Sequence, residues 1–388
     1  MSEHAVKAST CAVQQRTACH TCVLHVNSSS CSSLPQHQAP RSVSICQSAQ
    51  QSKLAVLYQP LRASLWLSFA TPPLNAQCSA QLAPTDLCAL PSALHGGDTF
   101  LWVGADGVHL VPWTALGRSG VRRVLYETDE WAFTRAPAGA ASRDTMNGLA
   151  VDEVWHYSHA NDARWSTGVM HRYVPPGSIN EKSARAPAAS TLPPVQPPLV
   201  YLGEVQGVAS RLVCWNALAR HLPPHRLQLV AGTYSAAEHV ERKLQMSSGV
   251  GLNIHKACSK SYAATLPVEA FRLATYLSSG IHLILSQRSH LADEAEYAGI
   301  VSFVGPRDGG GNDTQSAALL SAAVVEEYAR ISAMTVTERG KLHASRAAAF
   351  RAAFAPPRIL ERAGVTELLC GRPPTSPGTA SQGLNLAR

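Results

Sequence analysis

From residue 199 onward the chain alternates short apolar runs with helix-forming stretches, and this rhythm constrains the fold more than any other feature. The runs fall at 199–202, 227–230, 250–255, 281–286 and 300–304. Between them the pattern predicts helices over 210–222, 236–247 and 266–278, and longer ones over 316–334 and 338–354. The runs are continuously apolar, as strands buried on both faces must be. Strand and helix alternating at this spacing predict an α/β domain, a parallel sheet with helices on both faces. Such sheets bind ligands at the carboxyl ends of their strands.

The first half is less regular. Strands are predicted at 53–58, 99–103, 121–126 and 152–157, with a short apolar segment at 108–112 and a helix end at 146–150. Ser158-His-Ala-Asn161 reads as a helix start. Pro175-Pro-Gly177 marks a sharp change of direction. Residues 71–91 are rich in Pro and Ala and carry weak structural signals. Residues 181–198 hold Pro187, Pro193, Pro194, Pro197 and Pro198 and read as a linker. The 388 residues therefore divide into a leader at 1–52, a first domain at 53–180, the linker, a second domain at 199–370 and a disordered tail at 371–388.

Charge narrows the partners. The net charge is +7 and spread along the chain, with no Lys/Arg run to track a nucleic-acid backbone. A mild positive balance suits a small anion such as a nucleotide diphosphate. No apolar run is long enough to span a membrane. The leader holds one acid, Glu3, and reads either as a non-folding extension or as a transit segment. The expected compartment is the cytoplasm, or an organelle if the leader is a targeting signal. Cys19-His-Thr-Cys22 lacks the second ligand pair of a zinc site, and Cys78, Cys88, Cys214, Cys258 and Cys370 are scattered as in a reducing compartment.

Several chemistries leave no trace. There is no phosphate-binding P-loop, no Gly-x-Gly-x-x-Gly after a strand and no Gly-x-Ser-x-Gly elbow. His-Glu-x-x-His and Asp-x-Asp are also absent, so no metal ligands are assigned. What remains is polar residues at strand ends: Glu127 to Glu130, then Tyr157, Ser158, His159 and Asn161. In the second half Asn253, His255 and Lys256 end one strand and Ser286 and Gln287 the next, while Glu269 and Arg272 share one helix face.

Residues 199–304 resemble the nucleotide-sugar-binding half of group 1 glycosyltransferases of the GT-B type. The resemblance is carried by Leu202-Gly203 with Arg211, by Val250-Gly-Leu-Asn-Ile-His255, by Leu266-Pro-Val-Glu-Ala-Phe-Arg272, and by Ser279-Gly280 leading to Ile284-Leu-Ser286. Asp152 to Asn161, with Tyr173 to Gly177, looks like the end of that family's first domain. It implies two doubly wound, Rossmann-like domains facing a cleft. The first lacks a recognisable opening strand and glycine turn between Lys53 and Gly97 and looks short or eroded.

The same resemblance implies roles. Glu269 would accept the ribose hydroxyls of a nucleotide-diphosphate sugar donor, a vicinal diol that a carboxylate suits; the helix dipole also favours an acid there. Arg211, Lys256 and Arg272 would face the diphosphate, although Arg272 is equally placed to pair with Glu269. Asn253, His255 and Ser286 complete the donor side, with a hydrogen-bonded core role open to His255. Glu127 and His159 are candidates for the base that deprotonates an unidentified acceptor. Asp293, Glu294 and Glu296 read as a solvent face. The implied activity is sugar transfer without a cofactor or a bound metal. The alternatives are a non-catalytic nucleotide-sugar binder and an interaction protein.

Overall fold

A computed structural model of the protein describes residues 22–25, 42–47, 53–58, 94–104, 108, 111–127, 149–164, 169–177, 197–230, 249–260, 262–307 and 311–365. Of the linker expected at 181–198 only Pro197 and Pro198 are described, and the helix expected over 236–247 and the tail expected at 371–388 lie outside the described residues.

Among the described residues the first sheet has seven strands in sequence order. They are β1 (Cys22–His25), β2 (Ser42–Gln47), β3 (Lys53–Tyr58), β4 (Thr99–Val103), β5 (Arg122–Glu127), β6 (Glu153–His156) and β7 (Met170–Tyr173). Strands β3 to β7 pair in parallel, and β1 and β2 add antiparallel. Helix α1 (Trp113–Arg118) lies between β4 and β5. Strands β1 and β2 fall within the stretch 1–52 read as a leader, whose other residues lie outside the described ones. Ser42-Val-Ser-Ile-Cys-Gln47 alternates polar and apolar residues with period two, which is a strand signal in its own right. Strand β7 was also not anticipated, because Met170-His-Arg-Tyr173 carries two charged or polar side chains in four.

Among the described residues the second sheet has five parallel strands: β8 (Leu199–Leu202), β9 (Leu227–Val230), β10 (Val250–Asn253), β11 (Ile284–Gln287) and β12 (Ser302–Val304). Their spatial order is β12-β11-β10-β8-β9. This is a doubly wound sheet whose direction of winding reverses between β8 and β10. Every residue of β8, β10 and β11 is buried, which explains their apolar runs; the polar Asn253, Ser286 and Gln287 come only at the carboxyl ends. The helices are α2 (Ala209–Ala219), α3 (Ala270–Ser278), α4 (Leu291–Glu296), α5 (Asp313–Ala333), α6 (Val336–Phe354) and α7 (Pro356–Ala363). Thr335 and Glu338 close a capping box at the start of α6. Pro356 opens α7, where its missing N–H costs nothing.

Helix α3 begins four residues later than its apolar pattern predicts. Pro267 disfavours helical geometry at Leu266, and the Val268 N–H is taken by Asp293 Oδ2 at 3.2 Å. Glu269 is consequently the residue that caps the helix, with φ −74° and ψ 64°. The helix ends at Ser279-Gly280, where Gly280 takes φ 87°.

The two sheets share one apolar cluster. It joins Leu101, Val124, Tyr126 and Trp155 of the first to Val200, Leu202, Phe271 and Tyr276 of the second. Tyr126 and Tyr157 lie 6.3 and 5.4 Å from the Phe271 ring. Helix α7 crosses back, and its terminal carbonyl at Ala363 accepts a 2.8 Å bond from Arg172 of β7. A cation at a helix C-terminus opposes the helix dipole.

Cys214 of α2 and Cys258, just after β10, form a disulfide across 44 residues. The scattered spacing that suggested free thiols does not hold for this pair, because β8-α2 and β10 bring distant positions side by side.

Candidate functional site at the reversal point of the second sheet

Three segments converge where the strand order reverses. Arg211 comes from α2, which follows β8. Asn253, His255 and Lys256 come from the end of β10 and the turn beyond it. Glu269 and Arg272 come from the first turn of α3. Arg211 Nη2 donates to Glu269 Oε1 at 2.9 Å, and Arg272 Nη2 lies 3.5 Å from Oε2. Arg272 Nη1 also donates to Asn253 Oδ1 at 3.0 Å and to the Ile254 carbonyl at 2.9 Å. Asn253 Nδ2 donates to Ser286 Oγ at 2.9 Å on the neighbouring strand. Five of the seven residues expected on the donor side, Arg211, Asn253, Glu269, Arg272 and Ser286, thus form one connected network, and Lys256 adds its charge beside Glu269.

The network is charged and mostly shielded from water. The side chains of Arg211 and Arg272 are 5 and 8% exposed, and Glu269 is 20% exposed. Burial alone would raise the Glu269 carboxyl, but Arg272, Arg211 and Lys256 outweigh it and hold the group at about 2. His255 is fully enclosed, and burial lowers it despite the nearby Glu269. It therefore stays neutral, with Nε2 facing the Arg288 carbonyl at 2.9 Å and Ser289 Oγ at 3.1 Å. Three cations against one carboxylate leave an excess of positive charge. Arg211 Nε has no hydrogen-bond partner among the described residues, whereas the neutral His255, whose Nε2 donates to a carbonyl, offers only an acceptor at Nδ1. Such an arrangement attracts an anion and has a donor to offer it.

Tyr276 and Tyr201 belong to this site and had no sequence signal beyond apolar periodicity. The Tyr276 hydroxyl accepts the Leu202 N–H at 2.6 Å and sits 2.9 Å from the Leu252 carbonyl, bridging β8 and β10 at their carboxyl ends. The Tyr201 ring lies 6.0 and 5.1 Å from the guanidinium carbons of Arg211 and Arg272.

The first-domain candidates are placed differently. Glu127 is buried at the end of β5, with Oε2 at 2.8 Å from His156 Nδ1. His156 Nε2 is in turn 2.8 Å from His171 Nδ1. Among the described residues Glu127 is thus linked through His156 to His171. The ring of His159 stacks on Tyr173 at 3.9 Å, and its Nε2 is 3.5 Å from Glu296 Oε1. His159 thus lies in the seam between the domains. The reading of Asp293, Glu294 and Glu296 as a solvent face is corrected. Asp293 and Glu294 are buried, and Glu294 accepts Arg288 Nη1 at 2.9 Å and the Ser289 N–H at 2.8 Å. The acids cluster on the inward side of a six-residue helix, too short for its pattern to reveal a face.

Buried imidazoles are expected to make the protein acid-sensitive. Burial, with His171 and His159 nearby, pulls His156 down to about 3, and burial with His343 and Arg351 nearby does the same for His282. Between pH 6.5 and about 3 the unfolded chain binds protons that the native state refuses. Stability is then complete above pH 6.5 and falls as pH drops, by about 1.4 kcal/mol per pH unit for each such group. Urea denaturation at pH 7.5, 6 and 5 checks this; equal stabilities at the three values refute it.

No family model matches the chain, and no curated protein matches it in sequence. Solved structures do match in overall course. One is described as trehalose-6-phosphate from E. coli bound with UDP-2-fluoro glucose, with 12% identity, coverage of 84% of this chain and 89% of that one, and a TM-score of 0.42. Another is an alpha,alpha-trehalose-phosphate synthase (UDP-forming) from Burkholderia xenovorans, with 11% identity, coverage of 87% and 92%, and a TM-score of 0.43. A third is the N-terminal domain of a Candida albicans trehalose-6-phosphate phosphatase, with 10% identity, 70% coverage of each chain and a TM-score of 0.40. The α/β architecture of this chain rests on its own sheet pairing. Among the described residues no helix is long and apolar enough to cross a membrane.

Proposed function

We propose that the protein is a GT-B-type glycosyltransferase that binds a nucleotide-diphosphate sugar at the β8/β10 reversal point. The observation that carries this reading is the Arg211–Glu269–Arg272 cluster at the carboxyl edge of a doubly wound sheet. Glu269, ionised and the most exposed of the three, offers its remaining lone pairs to a ribose diol. Lys256, Arg211 and Arg272 meet the diphosphate and stabilise its negative charge as the sugar bond breaks. That role needs neither a cofactor nor a metal. Transfer also requires a base for the acceptor hydroxyl. Glu127 reaches that task through His156 and His171, and His159 lies at the domain seam.

A second reading, a nucleotide-sugar binder without turnover, is favoured by one specific observation. Tyr126 and Tyr157 pack on Phe271 at the start of α3, so apolar side chains occupy part of the space between the sheets. A panel of UDP- and GDP-sugars separates the two, with thermal shift and nucleotide release followed together. Stabilisation with release is expected for the transferase. Stabilisation alone establishes the binder, and neither effect with any sugar sinks both readings.

A further inference from the structure

Asp293 is buried in α4, and its two oxygens serve both domains. Oδ2 accepts the Ser158 hydroxyl at 2.5 Å and the Val268 N–H at 3.2 Å, and Oδ1 accepts the His159 N–H at 2.8 Å. Ser158 and His159 lie in the loop leaving β6 of the first domain. Val268 directly precedes Glu269. The Ser158 oxygen also accepts the Ala160 N–H at 3.1 Å, which fixes the direction of its own proton towards Asp293. Three neutral donors hold this carboxylate, and burial pushes its carboxyl upward against their pull. An apolar or amide side chain would be cheaper to bury. An amide, however, has one acceptor oxygen where two are in use. In either flip of an Asn, one backbone N–H would face an NH₂ group.

We propose that Asp293 is a positioning residue for the donor site: it seats the β6 exit loop of the first domain on the segment that carries Glu269. The idea rests on the donor-site reading above. It makes donor affinity depend on first-domain residues that do not touch the donor. Phe271 supports the same coupling, since Tyr157, the neighbour of Ser158, packs on it at 5.4 Å. Displacing Val268 would move Glu269 relative to Arg211, which is anchored on a different helix.

The test compares the full-length protein with Asp293→Asn and Ser158→Ala, using the UDP- or GDP-sugar that stabilises the wild type. Dissociation constants are measured by calorimetry, and amide hydrogen exchange is followed at residues 158–160 and 268–271 without ligand. Asp293→Asn is expected to weaken donor binding about tenfold, the equivalent of one orphaned backbone N–H. Exchange at Val268 and at His159 is expected to rise together. Ser158→Ala, which keeps both backbone bonds, is expected to weaken binding by a smaller factor and to serve if Asp293→Asn does not fold. A folded Asp293→Asn protein with donor affinity within about twofold of wild type, a change too small for an orphaned N–H, overturns the proposal, whatever its melting temperature. If the wild type binds no nucleotide-sugar, the donor reading fails by itself. Unchanged exchange at Val268 in Asp293→Asn then overturns the bridge separately, and coupled exchange at 159 and 268 upholds it as the contact that positions Glu269.

Discussion

Replacing Glu269 with Ala is expected to abolish stabilisation by nucleotide-diphosphate sugars and to destabilise the fold by about 3–5 kcal/mol. Both effects follow from one carboxylate. It is the shared partner of Arg211 and Arg272, whose side chains are almost completely buried. Without it the two guanidiniums repel each other in a site with little water to screen them. Arg272 would still hold Asn253 and the Ile254 carbonyl, while Arg211 would lose its carboxylate partner. Glu269→Gln keeps an acceptor oxygen and removes the charge, so it should retain more of the fold than Ala while still failing to hold a ribose diol alongside two guanidiniums. Chemical denaturation gives the stability difference, and thermal shift with UDP- and GDP-sugars gives the binding. A Glu269→Ala protein that still responds to the sugar stabilising the wild type would show that the donor sits elsewhere.

Reducing the Cys214–Cys258 bond is expected to lower stability by about 4 kcal/mol, the chain-entropy value for a closed loop of this length. The loop spans 44 residues and includes β9. The bridge fastens α2, which carries Arg211, to the turn that follows His255 and Lys256. Ser210 Oγ and Ser259 Oγ reinforce the same junction at 2.7 Å. Loss of the bond should therefore loosen the cationic side of the donor site as well as the fold. Denaturation with and without a dithiol reductant, beside the Cys214→Ala/Cys258→Ala double variant, measures the effect. Thiol titration of the denatured, unreduced protein supplies the control. Identical denaturation midpoints for the oxidised and reduced protein would contradict the expectation.

Legibility tracked burial. Strands β8 and β10 lie within the apolar runs that predicted them, and long helices α5 and α6 sit within a few residues of expectation. These central parallel strands are buried on both faces, so their composition has to announce them; the edge strand β9 coincides with its run although its two middle residues are exposed. Strand β7 escaped notice because two of its four residues are charged or polar, and β1, β2 and α7 were not anticipated either. Helix α3 started late because a hydrogen bond from a residue 25 positions away in sequence holds Val268 outside the helix. No local pattern encodes that contact.

For the candidate site, strand ends brought out Asn253, His255 and Ser286, a shared helix face brought out Glu269 and Arg272, and the family resemblance alone brought out Arg211; the expectation behind all of them is that parallel α/β sheets place ligands at their carboxyl edge. Partners were another matter. The role of Tyr276 as a bridge between β8 and β10, the link from Glu127 through His156 to His171, and the burial of Asp293 and Glu294 all depend on residues far apart in sequence. The sequence alone determined that the second half is a parallel α/β domain with charged residues at its carboxyl edge, since apolar runs of strand length between helices have few other ways to bury themselves. Only the tertiary structure decided which charges neutralise one another, because salt bridges and buried hydrogen bonds are set by distances of a few ångströms. It also decided that Asp293 joins the two domains beside Glu269 rather than facing water.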